Sequence, residues 1–234
     1  MRDELGTRLA IDLLIFDLDG TLVDSSLDLA HSVNATRLAF ELPPLENELV
    51  YSYVGNGALV LMQKSMGPEF GEKETQRALE YFLGYYRQHM LDNTRLYPGV
   101  REALDRLKAE GLQMAVLTNK PVRFSLEILA GLGVGGHFFK VYGGNSFEQK
   151  KPDPAGVNVL ISESGVPKER TLIVGDSSVD VLTARNAGVR VCGVTYGFQP
   201  ETLEESPPDF LVNRMEEMAD LVIAERNAKG ESRS

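Results

Sequence analysis

Two aspartates separated by one residue, Asp17 and Asp19, follow a short apolar run in the stretch LLIFDLDGTLVD, residues 13–24. Burying an unpaired carboxylate costs free energy, and two neighbouring carboxylates also repel each other. Ligands of parallel α/β sheets bind beyond the carboxyl ends of the strands, where loops carry polar groups outside the core. The spacing therefore predicts a functional site at a strand end. The alternative, an Asp-Gly hairpin turn, is weakened because a helical pattern follows.

Polar side chains also follow three later apolar runs, in the stretches LTNKP, KKPDP and GDSSVD. Each stretch alone has a structural explanation, as a helix cap or a solvated turn. Together, and each at the end of a predicted parallel strand, they indicate one composite site. The candidates are Thr118, Asn119, Lys120, Lys150, Lys151, Asp176 and Asp180.

The elements that would position these residues alternate along the chain. Apolar runs at 11–16, 113–117, 138–142, 171–174 and 190–194 are apolar nearly throughout, as in parallel strands covered on both faces. Helical patterns that end in glycine separate several of them. The alternation predicts an α/β fold with a doubly wound, Rossmann-like parallel sheet.

One block, residues 25–93, interrupts this alternation and reads as successive helices. It begins directly after the paired aspartates, so we expect an inserted helical cap that acts as a lid, with hinges near 23–24 and 93–96. The alternative is that these helices only cover the sheet. The predicted domains are a catalytic core, 1–23 and 95–234, and a cap, 24–94.

Composition limits the possible functions. The 234 residues carry a formal net charge of −10, which argues against a general nucleic-acid binder. The single cysteine, Cys192, lies in an apolar run and is interpreted as a buried structural thiol. Neither a membrane span nor an apolar signal core is evident. We expect a cytoplasmic protein, a monomer or a homodimer, with no membrane or nucleic-acid partner.

The motifs FDLDGT (16–21), LTN (117–119), KP (151–152) and GDSSVD (175–180) resemble, in order and spacing, those of the haloacid dehalogenase-like phosphohydrolases. The resemblance covers nearly the whole chain, including the family's helical cap. It implies that Asp17 is a nucleophile that forms an aspartyl-phosphate and that Asp19 is the general acid and base.

The resemblance also implies that Thr118 and Lys151 hold the phosphoryl oxygens, with Lys151 preferred over Lys150 because it directly precedes Pro152. It further implies that Mg²⁺ binds to the Asp17 carboxylate, the Asp19 backbone carbonyl and Asp176, with Asp180 supporting the bound waters. Charge supports a metal independently: four carboxylates face a phosphate dianion, and Lys151 supplies one positive charge.

Within this family, LTNKP, KKPDP, the VGNG loop (54–57) and TYG (195–197) most resemble phosphoglycolate phosphatases. We therefore expect a small phosphate ester as substrate, 2-phosphoglycolate being favoured. Asn119, Lys120 and Gly55 are the further candidates for substrate or phosphate binding, although Lys120 could be an exposed lysine and Gly55 part of a turn.

Other functions stay open at this point. They are a related phosphatase acting on pyrophosphate, a sugar phosphate or a nucleotide, and a phosphosugar mutase on the same scaffold. A phosphonate hydrolase would need a cap lysine, for which Lys64 and Lys73 are the main candidates. A non-catalytic protein that keeps the fold is not supported, because every catalytic position is filled.

Overall fold

A computed structural model describes residues 11–230. Its strands are β1 (Leu13–Phe16), β2 (Val23–Asp24), β3 (Arg95–Leu96), β4 (Gln113–Leu117), β5 (Lys140–Tyr142), β6 (Thr171–Gly175), β7 (Arg190–Val194) and β8 (Phe210–Val212). Its helices are α1 (Ser26–Ala39), α2 (Asn47–Tyr51), α3 (Ala58–Met66), α4 (Glu72–His89), α5 (Val100–Ala109), α6 (Val122–Gly131), α7 (Ala155–Ser164), α8 (Ser178–Ala187), α9 (Thr202–Glu205) and α10 (Met215–Gly230).

Six strands form one parallel sheet in the order β5-β4-β1-β6-β7-β8, so β1 lies near its centre. The four residues of β1 are all buried, because successive side chains enter hydrophobic clusters on opposite faces. One cluster contains residues of α5, α6 and α10. The other contains residues of α7, α8 and α9. The predicted doubly wound parallel sheet is confirmed.

Helices α1 to α4 form the cap, and α1 packs against α4. The chain enters the cap through β2 and leaves it through β3, and these short strands pair antiparallel to each other. Buried Asp28, in the first turn of α1, accepts hydrogen bonds from the main-chain and side-chain donors of Asn93 and Thr94 at 2.8–3.0 Å. Entry and exit are therefore tied together.

Several elements differ from the sequence-based expectation. A strand, β2, precedes α1, so the Asp-Gly turn is not followed directly by a helix. Strand β8 and helices α9 and α10 were not anticipated. The domain boundaries stay a prediction, and residues 1–10 and 231–234 of the predicted core lie outside the described residues.

Candidate active site

The candidate residues meet because their strands are neighbours in register. Phe16, the last residue of β1, pairs with Val116 on one side and Val174 on the other. Connections run in opposite directions from β1 and β6, and such a switch point leaves a crevice beyond the strand ends. Asp17 and Asp176 both lie at this crevice.

Lys151 joins two carboxylates from different elements. Its Nζ lies 2.9 Å from Asp17 Oδ1 and 2.7 Å from Asp180 Oδ1. Burial lowers the pKa of Lys151, but Asp17 and Asp180 outweigh burial and hold it above its ordinary value. Asp180 Oδ2 accepts a hydrogen bond from Ser177 Oγ at 3.0 Å, in the capping box that begins α8. The same carboxylate therefore starts a helix and orients the lysine.

Asp17, Asp176 and Asp180 form an acidic cluster whose oxygens lie within 4.8 Å of one another. Burial raises the pKa of Asp17 to about 6, against the opposing effect of Lys151. Burial, together with the charges of Asp180 and Asp17, raises the pKa of Asp176 to about 8. Oδ1 of Asp17 contacts the lysine without a well-formed hydrogen bond. Carboxylates of this kind fit a hard divalent cation.

The main chain around Asp176 fixes its orientation. Oδ2 accepts a hydrogen bond from the Phe198 N–H at 2.6 Å, and Oδ1 accepts one from Thr21 Oγ1 at 3.3 Å. Gly20 has a φ of +83°, and a Cβ there would lie 2.2 Å from Asp176 Oδ2. Glycine therefore serves both the sharp turn and the close approach to the carboxylate.

Asp19 is held by a different set of groups. Lys120 Nζ donates to both of its carboxylate oxygens at 3.0 Å, and Ser25 Oγ donates to Oδ1 at 2.6 Å. Lys120 is buried, and its ammonium also lies 4.6 Å from the centroid of the Tyr86 ring. The lysine that the sequence indicated for substrate therefore pairs with Asp19, and the site holds two buried ammonium groups rather than one.

Thr118 and Asn119 complete the core side of the site, and both are buried. The Thr118 hydroxyl oxygen accepts a hydrogen bond from the Lys120 N–H at 3.3 Å, so its own hydrogen can still be donated. Asn119 Nδ2 donates to the carbonyls of Lys151 at 3.1 Å and Gly55 at 3.0 Å. Asn119 thus connects the core to the cap.

A cavity lies between the strand ends and the cap. Its empty volume is about 530 Å³, which includes space open to solvent. Lys64 and Lys73 are not among its lining residues, so nothing here supports a phosphonate hydrolase. The walls consist of Asp17, Asp19, Leu29, Val54, Gly55, Gly57, Ala58, Leu61, Phe82, Leu83, Tyr86, Thr118, Asn119, Lys120, Pro121 and Phe124.

Comparison with known proteins identifies the family. Residues 14–194 match the family described as haloacid dehalogenase-like hydrolase. The chain belongs to this family.

Individual relatives agree with that assignment. The chain is 38% identical over 223 residues to a phosphoglycolate phosphatase of Vibrio parahaemolyticus, covering 92% of this chain and 98% of the relative. It is 41% identical over 207 residues to a phosphoglycolate phosphatase of Haemophilus influenzae, covering 85% and 92%. A crystal structure of a predicted phosphoglycolate phosphatase from Haemophilus somnus has a TM-score of 0.86 at 36% identity and covers 90% of this chain and 97% of that one.

As a haloacid dehalogenase-like hydrolase with these relatives, the chain is a phosphoric monoester hydrolase. The structure brings Asp17, Lys151, Asp176 and Asp180 into contact. The predicted residues that line the cavity are Asp17, Asp19, Gly55, Thr118, Asn119 and Lys120. No helix in the described part of the chain has the length and apolar character needed to cross a membrane.

Sequence reasoning missed three residues at the site. Ser25 contacts Asp19, and both Lys150 and Gln199 contact the cap. Lys150 was interpreted only as the unused neighbour of Lys151. No local pattern reveals the contacts of Lys150 and Gln199, because their partners are main-chain carbonyls distant in sequence. Ser25 lies only six residues from Asp19, and the turn between them brings the two side chains together.

Proposed function

We propose that this chain is a Mg²⁺-dependent phosphatase that hydrolyses 2-phosphoglycolate to glycolate and phosphate through an aspartyl-phosphate on Asp17. The observation that carries the proposal is the convergence of Asp17, Lys151, Asp176 and Asp180 at one strand end beneath the cap. Phosphoryl transfer is catalysed mainly by positioning and electrostatic stabilisation, which this arrangement offers.

Asp17 is the proposed nucleophile. One of its carboxylate oxygens forms a bond to phosphorus while the bond from phosphorus to the ester oxygen breaks. With a pKa of about 6, the carboxylate is mostly ionised at neutral pH and available for attack. Lys151, 2.9 Å away, orients it and is close enough to share the charge of the transferred group.

Asp19 is the proposed general acid and base. It protonates the departing glycolate oxygen, then removes a proton from the water that hydrolyses the aspartyl-phosphate. Ser25 and Lys120 hold the Asp19 carboxylate in one orientation at the site.

Thr118 and Asn119 are proposed to bind phosphoryl oxygens together with Lys151. Thr118 would use its hydroxyl and Asn119 its main-chain N–H, because the Asn119 side-chain amide already donates to two carbonyls. Lys120 is the basic side chain among the described cavity-lining residues, so it is also the proposed partner of a substrate carboxylate.

Magnesium would be held by Asp17, Asp176 and the Asp19 carbonyl, with Asp180 supporting its waters. The fit rests on the clustered carboxylates and on the raised pKa values of Asp17 and Asp176, which a divalent cation would lower. When bound, the cation neutralises charge on the phosphoryl oxygens. Two lysines cannot balance four carboxylates and a dianion, so a further positive charge is needed.

The choice of substrate is supported by the relatives named phosphoglycolate phosphatase and by the small cavity. The test is a panel of phosphate esters, pyrophosphate, sugar phosphates and nucleotides assayed for phosphate release with Mg²⁺ and with EDTA. We expect the highest kcat/KM for 2-phosphoglycolate and no turnover in EDTA.

A higher kcat/KM for another ester would overturn the substrate assignment. The need for a sugar bisphosphate activator, without release of phosphate, would identify a phosphosugar mutase instead. Full activity in EDTA would contradict the proposed requirement for Mg²⁺.

A further inference from the structure

Three loops of the core hold one loop of the cap, residues 52–57, here called the cap loop. Lys150 Nζ donates to the Asn56 carbonyl at 2.6 Å. Gln199 Nε2 lies 2.9 Å from the carbonyls of both Ser52 and Val54. With the bond from Asn119 to Gly55, four carbonyls of the cap loop accept hydrogen bonds from the core.

The acceptors belong to the main chain that follows α2 and precedes α3. These carbonyls lie between two helices and not within one, so water can replace the core donors when the loop lifts away. The contact is therefore suited to repeated opening. Beside it, the rings of Tyr51 and Phe198 stack with centroids 6.4 Å apart.

Lys150 and Gln199 are each next in sequence to a residue that contacts the acidic cluster. Lys150 directly precedes Lys151, and Gln199 follows Phe198, whose N–H donates to Asp176 at 2.6 Å. The Gln199 N–H lies 3.4 Å from the same carboxylate oxygen. The segment that carries Lys151 and the segment that contacts Asp176 therefore also hydrogen-bond to the cap loop.

We propose that Lys150 and Gln199 are positioning residues that close the cap loop over small substrates and couple its closure to the arrangement of Lys151 and Asp176. They touch neither the cavity nor the reacting atoms. They act by holding Gly55 and Gly57, which line the cavity, at the distance that a small ester requires. The kinetic consequence rests on the proposed function, whereas the closure itself does not.

The kinetic test uses Lys150→Met and Gln199→Met, which keep side-chain length and remove the donors. We expect kcat/KM for 2-phosphoglycolate to fall about tenfold in each, the usual size for a lost hydrogen bond of this kind. The kcat/KM for p-nitrophenyl phosphate, a small activated ester, should change less than about twofold, because this substrate depends less on remote contacts. Lys150→Arg keeps a donor and should recover most of the activity.

Lys168→Met is the matched control, because Lys168 Nζ also donates to a carbonyl, that of Ala187 at 2.9 Å, away from the cap. This variant should leave kcat/KM for both substrates unchanged. Equal loss on both substrates, or no loss on 2-phosphoglycolate, would overturn the proposed positioning role.

A second measurement needs no turnover. Hydrogen–deuterium exchange of the cap loop, with Mg²⁺ and orthovanadate as the probe, should be about tenfold faster in Lys150→Met and Gln199→Met than in the wild type or Lys168→Met. Unchanged exchange would overturn the closure. If exchange rises while no variant or wild type hydrolyses 2-phosphoglycolate, the proposed substrate fails and the closure stands.

Discussion

The acidic cluster and the cap loop both contribute to the cavity wall, the cluster through Asp17 and the loop through Val54, Gly55 and Gly57, yet the two are held in place differently. The cluster is held through its side-chain carboxylates: Lys151 contacts Asp17 and Asp180, and the Phe198 N–H donates to Asp176. The cap loop is held through its main chain, by side chains of the core. In the core, the residue types set the chemistry. In the cap loop, the position of the backbone matters and the identity of most side chains does not.

The difference teaches where substitutions act. Changing one atom type in the core should stop the reaction without moving the chain. Changing the cap should alter which molecules fit or how firmly the cap is attached, while the reaction itself persists.

The largest expected effect is that of Asp17→Asn. An amide cannot serve as the nucleophile, so kcat should fall by about 10⁴-fold or more. Asp12→Asn, at the opposite end of the same strand and paired with Arg170, is the matched control and should stay near wild type. Substantial turnover by Asp17→Asn, with an unchanged circular dichroism spectrum, would contradict the assignment of Asp17 as the nucleophile.

Asp19→Asn should lower kcat by about 10²- to 10⁴-fold on 2-phosphoglycolate, because the poor leaving group needs a proton. The loss should be smaller on p-nitrophenyl phosphate, whose leaving group needs little protonation. Steady-state kinetics on both esters measures this difference. Equal losses would argue that Asp19 acts in some other way.

Asp28→Ala should lower the free energy of unfolding by about 3 kcal/mol, because main-chain donors of the cap linker would lose a buried, charged acceptor. Urea titration followed by circular dichroism measures the change. Asp24→Ala, four residues earlier and exposed, should cost about 1 kcal/mol or less, since it removes only two exposed hydrogen bonds, from the N–H and the hydroxyl of Ser26. Similar costs at both positions would mean that the linkers are not tied by Asp28.

The same carboxylate makes a pH prediction. Although burial opposes it, hydrogen bonds from Asn93 and Thr94 lower the pKa of Asp28. Its contribution is present above the unfolded-state pKa and is lost as the pH falls through the folded-state value. The difference between wild type and Asp28→Ala should therefore shrink in acid.

The stabilisation by Mg²⁺ should increase with pH, reaching about 1–3 kcal/mol at pH 8.5 when the cation is in large excess. The pKa values of Asp176 and Asp17, about 8 and about 6, lie above the ordinary value of an aspartate, 3.8. In this window the metal-free folded state binds more protons than the unfolded state, so its stability falls as the pH rises from 4 to 8.

The cation replaces those protons, and its effect should therefore be small at pH 5 and large at pH 8.5 in thermal melts. Asp176→Asn should abolish the difference. Equal shifts of Tm at both pH values would contradict the proposed site.

Gly55→Ala should have the smallest effect, a loss of about three- to tenfold in kcat/KM for 2-phosphoglycolate with p-nitrophenyl phosphate nearly unchanged. Gly55 has a φ of +113°, which an alanine rarely adopts, so the backbone of the cap loop would shift. Gly84→Ala, on α4 with open space around the added Cβ, is the control. The same loss on both esters would mean that the cap loop only covers the site.

The fold was predictable where a pattern lies within one element. The strand ends at Asp17, Thr118 and Asp176 were found because apolar runs stop abruptly at polar residues. The β2–β3 pair was not found, since each strand has two residues and its partner lies about seventy positions away. Strand β8 is only three residues long, which gives too short a pattern to read.

The site was predictable where charge and spacing limit the possibilities. The pairing of Lys120 with Asp19 was not, because the two residues lie 101 positions apart and only the register of β1 with β4 brings them together. Lys150 was overlooked for a related reason. A main-chain carbonyl leaves no signature in the sequence, so a side chain that binds one cannot be recognised from its partner.

The β2–β3 pair also bears on how such a molecule can diversify. Val23 pairs with Leu96, so the chain enters the cap and leaves it at points within about 5.5 Å of each other. A cap inserted between two adjacent points can be lengthened, shortened or replaced without changing the strand order of the core sheet. The catalytic carboxylates of the core can thereby stay unchanged while the cap is replaced, so that the same reaction is applied to new substrates.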